Sequence, residues 1–264
     1  MRQYKIIDAH AHIFPEKIAG KAVETTSKYY GITMSCRGTI EDLLEKGRII
    51  NVQKYLVHST ATKVEQVKAV NDFIADAKHN NSCFIGFGTL HPDMHGVKNE
   101  IDRIISLGLK GVKLHPEFQQ FNIDDNGMMP IYKELEGRLP VLMHMGDEKK
   151  TSSSPERLSK VLNMFPKLTV IAAHLGGYRM WNDSVRYLLG KNVYFDTSSS
   201  LPFLDKKAAV DIIRLHSVKR VLFGTDYPMW THEEELQRFL SLELTECERE
   251  LILSENANKL FNIF

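Results

Sequence analysis

The chain alternates short apolar runs with longer segments in which apolar residues recur every three or four positions. Segments of the second kind include Val64, Val67, Val70, Ile74 and Ala77, and later Val97, Ile101 and Ile104. Short apolar runs are typical of buried strands, and the longer period places apolar side chains on one face of a helix. The alternation predicts repeated βα units around a parallel sheet.

Eight of the apolar runs have the length and composition of strands. They are residues 6–10, 55–58, 84–89, 111–115, 140–144, 169–174, 193–196 and 221–226. Eight βα units in a chain of 264 residues fit an α/β barrel, whose usual length is about 250 residues. We therefore expect a single (β/α)₈ TIM barrel, formed by one domain that spans residues 1–264.

Two helix starts and one unassigned segment can also be located. Ser154 followed by Pro155 predicts an N-cap with proline in the first turn, and Thr39 predicts another cap. The segment from residue 13 to about residue 37 is too long for an ordinary βα loop. We expect this segment to form a lid or rim over the site.

Charge and composition limit the partners of the protein. The 34 basic and 33 acidic residues nearly cancel, so no strong field attracts nucleic acid or an anionic membrane. No apolar stretch approaches the length of a membrane span. Cys36, Cys83 and Cys247 are odd in number and widely spaced, which fits a reducing compartment. We expect a cytoplasmic protein that binds neither nucleic acid nor membranes, and the sequence leaves a homo-oligomer open.

Polar side chains collect where the predicted strands end. They are His10 and His12 on the first strand, His58 on the second, Lys113 and His115 on the fourth, His144 on the fifth, His174 on the sixth and Asp226 on the eighth. His10 and His12 are two residues apart and therefore face the same side of a strand. Parallel barrel strands direct their carboxyl ends to one face, so all these side chains should meet there. Burying them among aliphatic residues is unfavourable unless they are paired, and a metal ion would pair them.

The alternative is that these histidines are hydrogen-bonded independently near the strand ends. This alternative is weak for the set but stronger for single members. His58, His91 and His115 could be solvated at the rim, so their part in the site stays open. Four histidines that fall on predicted helices or at their ends are expected at the surface: His79, His95, His216 and His232.

Five segments are motifs that follow one another in a recognisable order. They are IDAHAH at residues 7–12, GVKLHP at 111–116, PVLMHMG at 140–146, AHLGG at 173–177 and FGTDYP at 223–228. Together with the closing segment ENANKLF at 255–261, they resemble the amidohydrolase superfamily. The resemblance is to the compact amidohydrolase-2 branch that contains aminocarboxymuconate semialdehyde decarboxylase. It covers nearly the whole chain, and five motifs in the right order are specific.

The resemblance implies roles for individual residues. His10, His12 and His144 match metal-binding histidines of the family, and Asp226 matches an aspartate that binds metal and takes protons. His174 matches a histidine that assists the chemistry in mononuclear relatives and can bind a second metal in binuclear ones. We therefore expect a metal site at the C-terminal face of the barrel, with Asp226 and His174 as catalytic residues. Zinc is the expected metal, and manganese, iron or nickel also suit such ligands.

Lys113, the third expected catalytic residue, bears on the number of metals. Lys113 lies between the apolar residues Val112 and Leu114, and neighbouring residues of a strand face opposite sides. Lys113 should therefore point into the barrel. In binuclear relatives a lysine on this strand can be carboxylated and then bridges two metals. Burial favours the neutral lysine that could react in this way, whereas a nearby carboxylate keeps it protonated. We expect one metal and a cationic Lys113 that contacts the substrate.

Two reactions fit this set of residues. In a hydrolase, the metal lowers the pKa of bound water to about 7 and Asp226 accepts the proton, so that hydroxide attacks a carbonyl-type carbon. In a non-oxidative decarboxylase, the same metal holds a carboxylic acid while Asp226 or His174 moves the proton. A silent barrel that only binds a small molecule is a third interpretation. Hydrolysis is the leading prediction from the sequence.

Four residues give the only indications about the substrate. Tyr178, Arg179 and Trp181 follow the sixth predicted strand, and Trp230 follows the eighth. If they line the mouth of the site, they favour a small planar or carboxylated substrate. Arg179 could equally pair with a surface carboxylate, and the aromatic residues could pack the rim.

Overall fold

A computed structural model describes residues 4–264 and contains one sheet of eight parallel strands in chain order. The strands are β1 (Ile6–His12), β2 (Val52–His58), β3 (Phe84–Thr89), β4 (Val112–Leu114), β5 (Val141–Met143), β6 (Val170–Ala172), β7 (Tyr194–Asp196) and β8 (Val221–Leu222). The sheet curls into a barrel, because Ala9 N donates to Phe223 O at 2.8 Å and Asp226 N donates to His10 O at 2.9 Å. The predicted (β/α)₈ barrel is confirmed.

Helices follow the strands along the chain. They are α1 (Glu16–Tyr30), α2 (Ile40–Ile49), α3 (Val67–Asn80), α4 (Val97–Ser106), α5 (Pro116–Gln119), α6 (Met129–Leu135), α7 (Pro155–Met164), α8 (Trp181–Leu188), α9 (Lys206–His216), α10 (His232–Leu240), α11 (Glu246–Glu250) and α12 (Asn256–Phe261). Thr39 caps α2, as predicted, because its side chain accepts from Asp42 N. Ser154 occupies the N-cap position of α7 and Pro155 its first turn, as predicted, but the Ser154 side chain makes no capping hydrogen bond. Between residues 4 and 264, no helix has the length and apolar character needed to cross a membrane.

The segment left unassigned between residues 13 and 37 contains α1. Only Ala19 of this helix is fully buried, so α1 lacks the broad apolar stripe by which a helix is recognised in a sequence. Its end is tied to the segment after β5, because Tyr29 OH donates to Asp147 Oδ2 at 3.0 Å and Lys149 Nζ donates to Tyr29 O at 2.7 Å. The expected cover over the site is therefore a helix.

Two apolar clusters stabilise the barrel. The inner cluster fills its interior and includes Ile7, Ala9, Leu56, Ile85, Phe87, Leu142, Ile171 and Leu222, with Ala257 and Phe261 of α12. The outer cluster packs the other faces of the strands, including Val112 and Leu114 of β4, against the surrounding helices. Burial of this much apolar surface is the main force that favours the folded state.

A register shift in β1 turns the two histidines of this strand into the barrel. Ile7 and Ala9 belong to the inner cluster, whereas Ala11 belongs to the outer one. With strict alternation, His10 would lie on the outer side, because neighbouring residues of a strand face opposite ways. The pairing of β1 with β2 shifts between Asp8 and Ala11. Such a bulge breaks the alternation, so His10 and His12 face inward.

Two of the four histidines predicted at the surface are buried, so that prediction was wrong for them. His216 on α9 stacks on Phe195 with ring centroids 3.8 Å apart. His232 at the start of α10 has its Nε2 3.1 Å from Asp8 Oδ2 and is fully buried. Both lie on helix positions that face the barrel, where packing buries a side chain whatever its polarity. His79 and His95 are exposed, as predicted.

Candidate active site

Three of the predicted metal ligands meet at the carboxyl ends of the strands. His10 Nε2 lies 3.3 Å from His12 Nε2 and 3.3 Å from Asp226 Oδ1, and His12 Nε2 lies 3.4 Å from the same oxygen. Atoms bound to one ion at about 2.1 Å are about 3.0–3.4 Å apart. This nearly equilateral arrangement, called the donor triangle below, therefore fits a divalent metal.

The orientation of His10 is fixed by groups on its far side. His10 Nδ1 lies 2.9 Å from Asp196 Oδ2 and 3.0 Å from Ser198 Oγ. Burial and the charge of Lys113 hold the pKa of His10 well below its usual value, so the ring is neutral. A Cβ on Gly224 would lie 2.9 Å from His10 Cβ, which explains the glycine of the FGTD segment. The sequence pattern identified Asp196 only as the last residue of a strand.

Lys113 points into the barrel, as its position in β4 predicted. It is 1% exposed, and its Nζ donates to His10 Nε2 at 3.1 Å. Burial lowers the pKa of Lys113 to about 8, although Asp226 and Asp196 raise it. The ammonium form therefore predominates at pH 7. Lys113 lies beneath the donor triangle, outside the set of residues that line the cavity described below.

Asp226 is held in place by a short chain of hydrogen bonds. Ser199 Oγ donates to Asp226 Oδ2 at 2.5 Å, and Trp230 Nε1 donates to Ser199 Oγ at 3.0 Å. Asp226 and Ser199 have φ values of 59° and 48°, a left-handed conformation that non-glycine residues seldom adopt. Burial raises the pKa of Asp226, but His10, His12 and His174 together lower this pKa by a larger amount. The net shift is therefore well downward. The carboxylate is therefore ionised, as a metal ligand must be.

His144 and His174 form a hydrogen-bonded pair beside the donor triangle. His174 Nε2 lies 3.0 Å from His144 Nδ1, and His174 Nδ1 lies 2.9 Å from Ser198 O. His144 Nε2 lies 2.9 Å from Gly146 O. The ring of His174 stacks on that of His10 with centroids 5.3 Å apart. The predicted ligand His144 is thus connected to the triangle through His174.

His115, whose part in the site was left open, lies in the site. Its ring stacks on His144 with centroids 3.9 Å and planes 7° apart, and Tyr30 OH lies 3.2 Å from its Nε2. Glu117 Oε2 lies 3.5 Å from His115 Nδ1. Burial raises the pKa of Glu117 to about 7, although Ser153 donates to its other oxygen. The sequence pattern identified neither Tyr30 nor Glu117 as part of a candidate catalytic set.

His58, the second histidine left open, is also in the site. It is fully buried at the end of β2, with its ring centroid 4.3 Å from that of His12 and 5.0 Å from that of His10. Neither ring nitrogen has a hydrogen-bond partner among the described residues. His91, the third, is buried in a turn where Asp93 N donates to its Nδ1 at 3.3 Å, and it is not among the cavity-lining residues.

A cavity of about 790 Å³ connects the site to the surface. His12, His144, His174 and Asp226 are among the polar residues that line it. Its walls carry six aromatic side chains: Phe14, Tyr29, Tyr30, Phe73, Phe118 and Tyr178. A volume of about 300–1,000 Å³ is usual for a site that takes a small organic molecule.

Of the four residues that follow the sixth and eighth predicted strands, Tyr178 lines the cavity. Arg179 pairs with Glu148 at 3.3 Å, which is the surface pairing given above as the alternative. Trp181 Nε1 donates to His174 O at 3.0 Å. Trp230 supports Asp226 through Ser199. Both tryptophans therefore hold site residues in place from outside the cavity lining.

Comparison with known proteins gives both a family model and similar folds. A family model described as amidohydrolase matches residues 7–263. A crystal structure of 5-carboxyvanillate decarboxylase from Sphingomonas paucimobilis is 16% identical, with a TM-score of 0.77 over 98% of this chain and 99% of that one. At such identity the likeness concerns the fold alone.

Two further structures cover nearly the whole chain. A dihydroxybenzoic acid decarboxylase from Polaromonas sp. JS666, with bound manganese and the inhibitor 2-nitroresorcinol, is 17% identical, with a TM-score of 0.75 over 98% of this chain and 97% of that one. A probable 2-pyrone-4,6-dicarboxylic acid hydrolase from Acinetobacter baumannii, with citric acid bound, is 16% identical, with a TM-score of 0.72 over 98% and 99%.

Proposed function

Because the chain belongs to the amidohydrolase family, in its amidohydrolase-2 branch, we propose that it is a metal-dependent decarboxylase acting on a small planar carboxylic acid. The sequence alone put hydrolysis first and decarboxylation second. Two of the three similar structures described above are decarboxylases, and one of these holds manganese. These likenesses support the reversed order.

One feature of the site supports this reaction most directly: aromatic side chains enclose the cavity above the donor triangle. Tyr30, Phe118 and Tyr178 supply flat apolar surfaces that suit a planar ring, while His12 and Asp226 are among the polar residues of the lining. A carboxyl group on the ring would reach the donor triangle. The substrate class that fits is an aromatic or similarly planar acid.

His10, His12 and Asp226 are the residues that would hold the metal, because their ligand atoms form the donor triangle. A divalent ion bound there would fix the carboxylate of the substrate and withdraw electron density from it. Two imidazoles and a carboxylate suit zinc, and manganese is the ion bound in one of the similar structures. His144 stays a prediction as a further ligand.

The reaction requires one proton to be delivered. When the bond between the ring carbon and the carboxyl carbon breaks, the electron pair stays on the ring carbon and takes up a proton. Asp226 is ionised, which makes it a poor acid, whereas His174 lines the cavity. The ring nitrogens of His174 and His144 lie 3.0 Å apart, so one hydrogen bond links the two rings, and the outer nitrogens lie beside Ser198 O and Gly146 O. We assign delivery of the proton to His174.

The test is to incubate the purified metal-loaded protein in D₂O with hydroxybenzoic, carboxyvanillic and muconate-type acids. The expected result is one carbon dioxide per product molecule and one deuterium on the carbon that lost the carboxyl group. Treatment with a chelator should stop the reaction, and added metal should restore it. The absence of carbon dioxide from every acid of the panel, with confirmed metal loading, would contradict the proposal.

Hydrolysis remains the second candidate, because one similar structure is a probable hydrolase of a pyrone dicarboxylic acid. In a hydrolase, Asp226 would be the residue that accepts a proton from water, which is the role that the resemblance to the family implies. The same protein preparation should therefore be assayed with lactones and amides. Acid release from a lactone, without carbon dioxide from any acid, would favour hydrolysis.

A further inference from the structure

We propose that His58 is a ligand of the same metal, together with His10, His12 and Asp226. This inference rests on the metal dependence of the proposed function. The residues that match metal ligands of the family lie on β1, after β5 and after β8. His58, at the end of β2, would bring a further strand into the metal site.

His58 is buried without a hydrogen bond to any residue of the described chain. A neutral imidazole has one N–H donor and one lone pair, and buried polar groups in proteins are nearly always paired. His58 is fully buried, and neither Nδ1 nor Nε2 has a partner among residues 4–264. An ion at one nitrogen would give the lone pair its missing partner.

The ring of His58 lies beside the rings of His10 and His12. One ring nitrogen of each of His10, His12 and His58 can be chosen so that all three lie within 4.8 Å of one another. The ring of His58 crosses that of His12 at 83° and that of His10 at 69°. Because the lone pair of an imidazole nitrogen lies in the ring plane, crossed rings can direct their lone pairs to one ion.

A second cluster of buried groups provides a contrast. His115, Glu117 and His144 also bring ligand atoms close together. However, the rings of His115 and His144 are parallel, with planes 7° apart and centroids 3.9 Å apart. Their lone pairs lie in parallel planes and do not converge, so this cluster does not fit an ion as well as His58 and its neighbours do.

His58 and His144 differ in the hydrogen bonds that their rings make. His144 is engaged through both nitrogens, with Gly146 O and with His174, and would lose a hydrogen bond on binding an ion. His58 would lose none. His58 is not among the cavity-lining residues, whereas His12 and Asp226 are. A ligand from that buried side leaves the cavity side open for substrate, which a catalytic metal site requires.

The experiment compares the variants His58→Leu and His216→Leu with the wild-type protein. All three are freed of metal and titrated with Zn²⁺ and with Mn²⁺ by calorimetry, and melting temperatures are recorded with and without metal. His216 is a buried histidine stacked on Phe195 beyond β7, so His216→Leu is the matched control for loss of a buried imidazole. Its metal affinity should equal that of the wild type.

For His58→Leu we expect metal affinity to fall more than about 100-fold, since loss of a group that only supports a ligand costs about 10–100-fold. The rise in melting temperature on adding metal should largely disappear. Without metal, the variant should melt no lower than the wild type, because an unpaired polar group has been removed. Wild-type affinity and a wild-type rise in melting temperature would overturn the proposal.

A second measurement keeps the test valid if His58→Leu does not fold. Wild-type protein containing ¹⁵N-histidine and loaded with ¹¹³Cd²⁺ should show scalar coupling between cadmium and a ring nitrogen of His58. Absence of this coupling in the loaded protein would overturn the proposal without any mutation. Neither readout depends on the reaction. If His58 binds metal but no acid loses carbon dioxide, His58 is a metal ligand and the proposed reaction is wrong. If an acid loses carbon dioxide but His58 does not bind metal, the proposed reaction is supported and His58 is not a ligand.

Discussion

The Oδ2 atom of Asp196 lies 2.9 Å from Nδ1 of His10. A carboxylate accepts hydrogen bonds but does not donate them, so Nδ1 carries the proton and Nε2 keeps its lone pair. Lys113 Nζ donates to that same Nε2 at 3.1 Å, which agrees with this tautomer. Asp196 Oδ1 also accepts from His174 N at 3.0 Å. One buried carboxylate therefore orients two histidines of the site.

We predict that Asp196→Asn weakens metal binding by about 10–100-fold, as is usual when the group behind a ligating histidine is lost. The amide can donate as well as accept, so His10 is no longer restricted to the tautomer whose lone pair lies on Nε2. Calorimetric titration of the metal-free protein measures the change. Asp211→Asn, at an exposed carboxylate on α9 that pairs with Lys207, is the control and should bind metal normally. Equal affinity in both variants would contradict the assigned role of Asp196.

We predict that Asp226→Asn lowers turnover by about 100-fold or more while the melting temperature changes little. Asn keeps an oxygen for Ser199, so the fold is preserved, but it lacks the negative charge that balances a metal and cannot accept a proton. Turnover, metal content and melting temperature should be measured on the same preparation. Wild-type turnover would place the essential group elsewhere, and His174→Gln would then be the next variant.

We predict one metal per chain, in the wild type and in Lys113→Met. Burial lowers the pKa of Lys113 to about 8, but at pH 7 the ammonium still predominates, and an ammonium does not react with carbon dioxide. Metal titration followed by elemental analysis measures the stoichiometry. Two metals per chain, lost in Lys113→Ala and restored by short carboxylic acids, would instead indicate a carboxylated lysine that bridges two ions.

We predict that Glu235→Gln stabilises the protein at pH 8 but hardly at pH 5. Burial raises the pKa of Glu235 to about 8, from 4.5, although Arg238 lowers it. Between these values the folded protein holds a proton that the unfolded chain has lost, so the free energy of unfolding of the wild type falls as the pH rises. Gln cannot ionise and keeps an acceptor for Arg238. The gain at pH 8 should be about 3–4 kcal/mol, since the pKa is raised from 4.5 to about 8 and one pKa unit corresponds to about 1.4 kcal/mol.

Urea unfolding at pH 5 and pH 8 measures this difference for Glu235→Gln. Glu233→Gln changes an exposed carboxyl group on the same helix, α10, and serves as the matched control. Its stability should follow that of the wild type at both pH values. If the free energies of unfolding of Glu235→Gln and of the wild type fall in parallel between pH 5 and pH 8, the pKa of Glu235 is not raised in the folded protein.

The barrel could be predicted because its signals are local. Each apolar run that becomes a strand can be recognised in four to six residues, and the predicted strand at residues 84–89 agrees with β3 (Phe84–Thr89) in both limits. Elsewhere the limits differ. The last strand, predicted at residues 221–226, ends as β8 at Leu222, so Asp226 lies in the segment after the strand. Helix α1 was missed because it buries little of its surface. The limits of the single domain, residues 1–264, stay a prediction.

The sequence by itself determined the order of strands and helices and the side chains that gather at one face of the barrel. Tertiary structure decided which atoms meet there. A shifted register in β1 turns His10 inward, and Asp196 from β7 fixes its tautomer. His58 is buried with no hydrogen-bond partner among residues 4–264. The physical reason is range: periodicity along a chain sets which face a side chain occupies, whereas hydrogen bonds and ligand distances depend on strands brought together by the closed sheet.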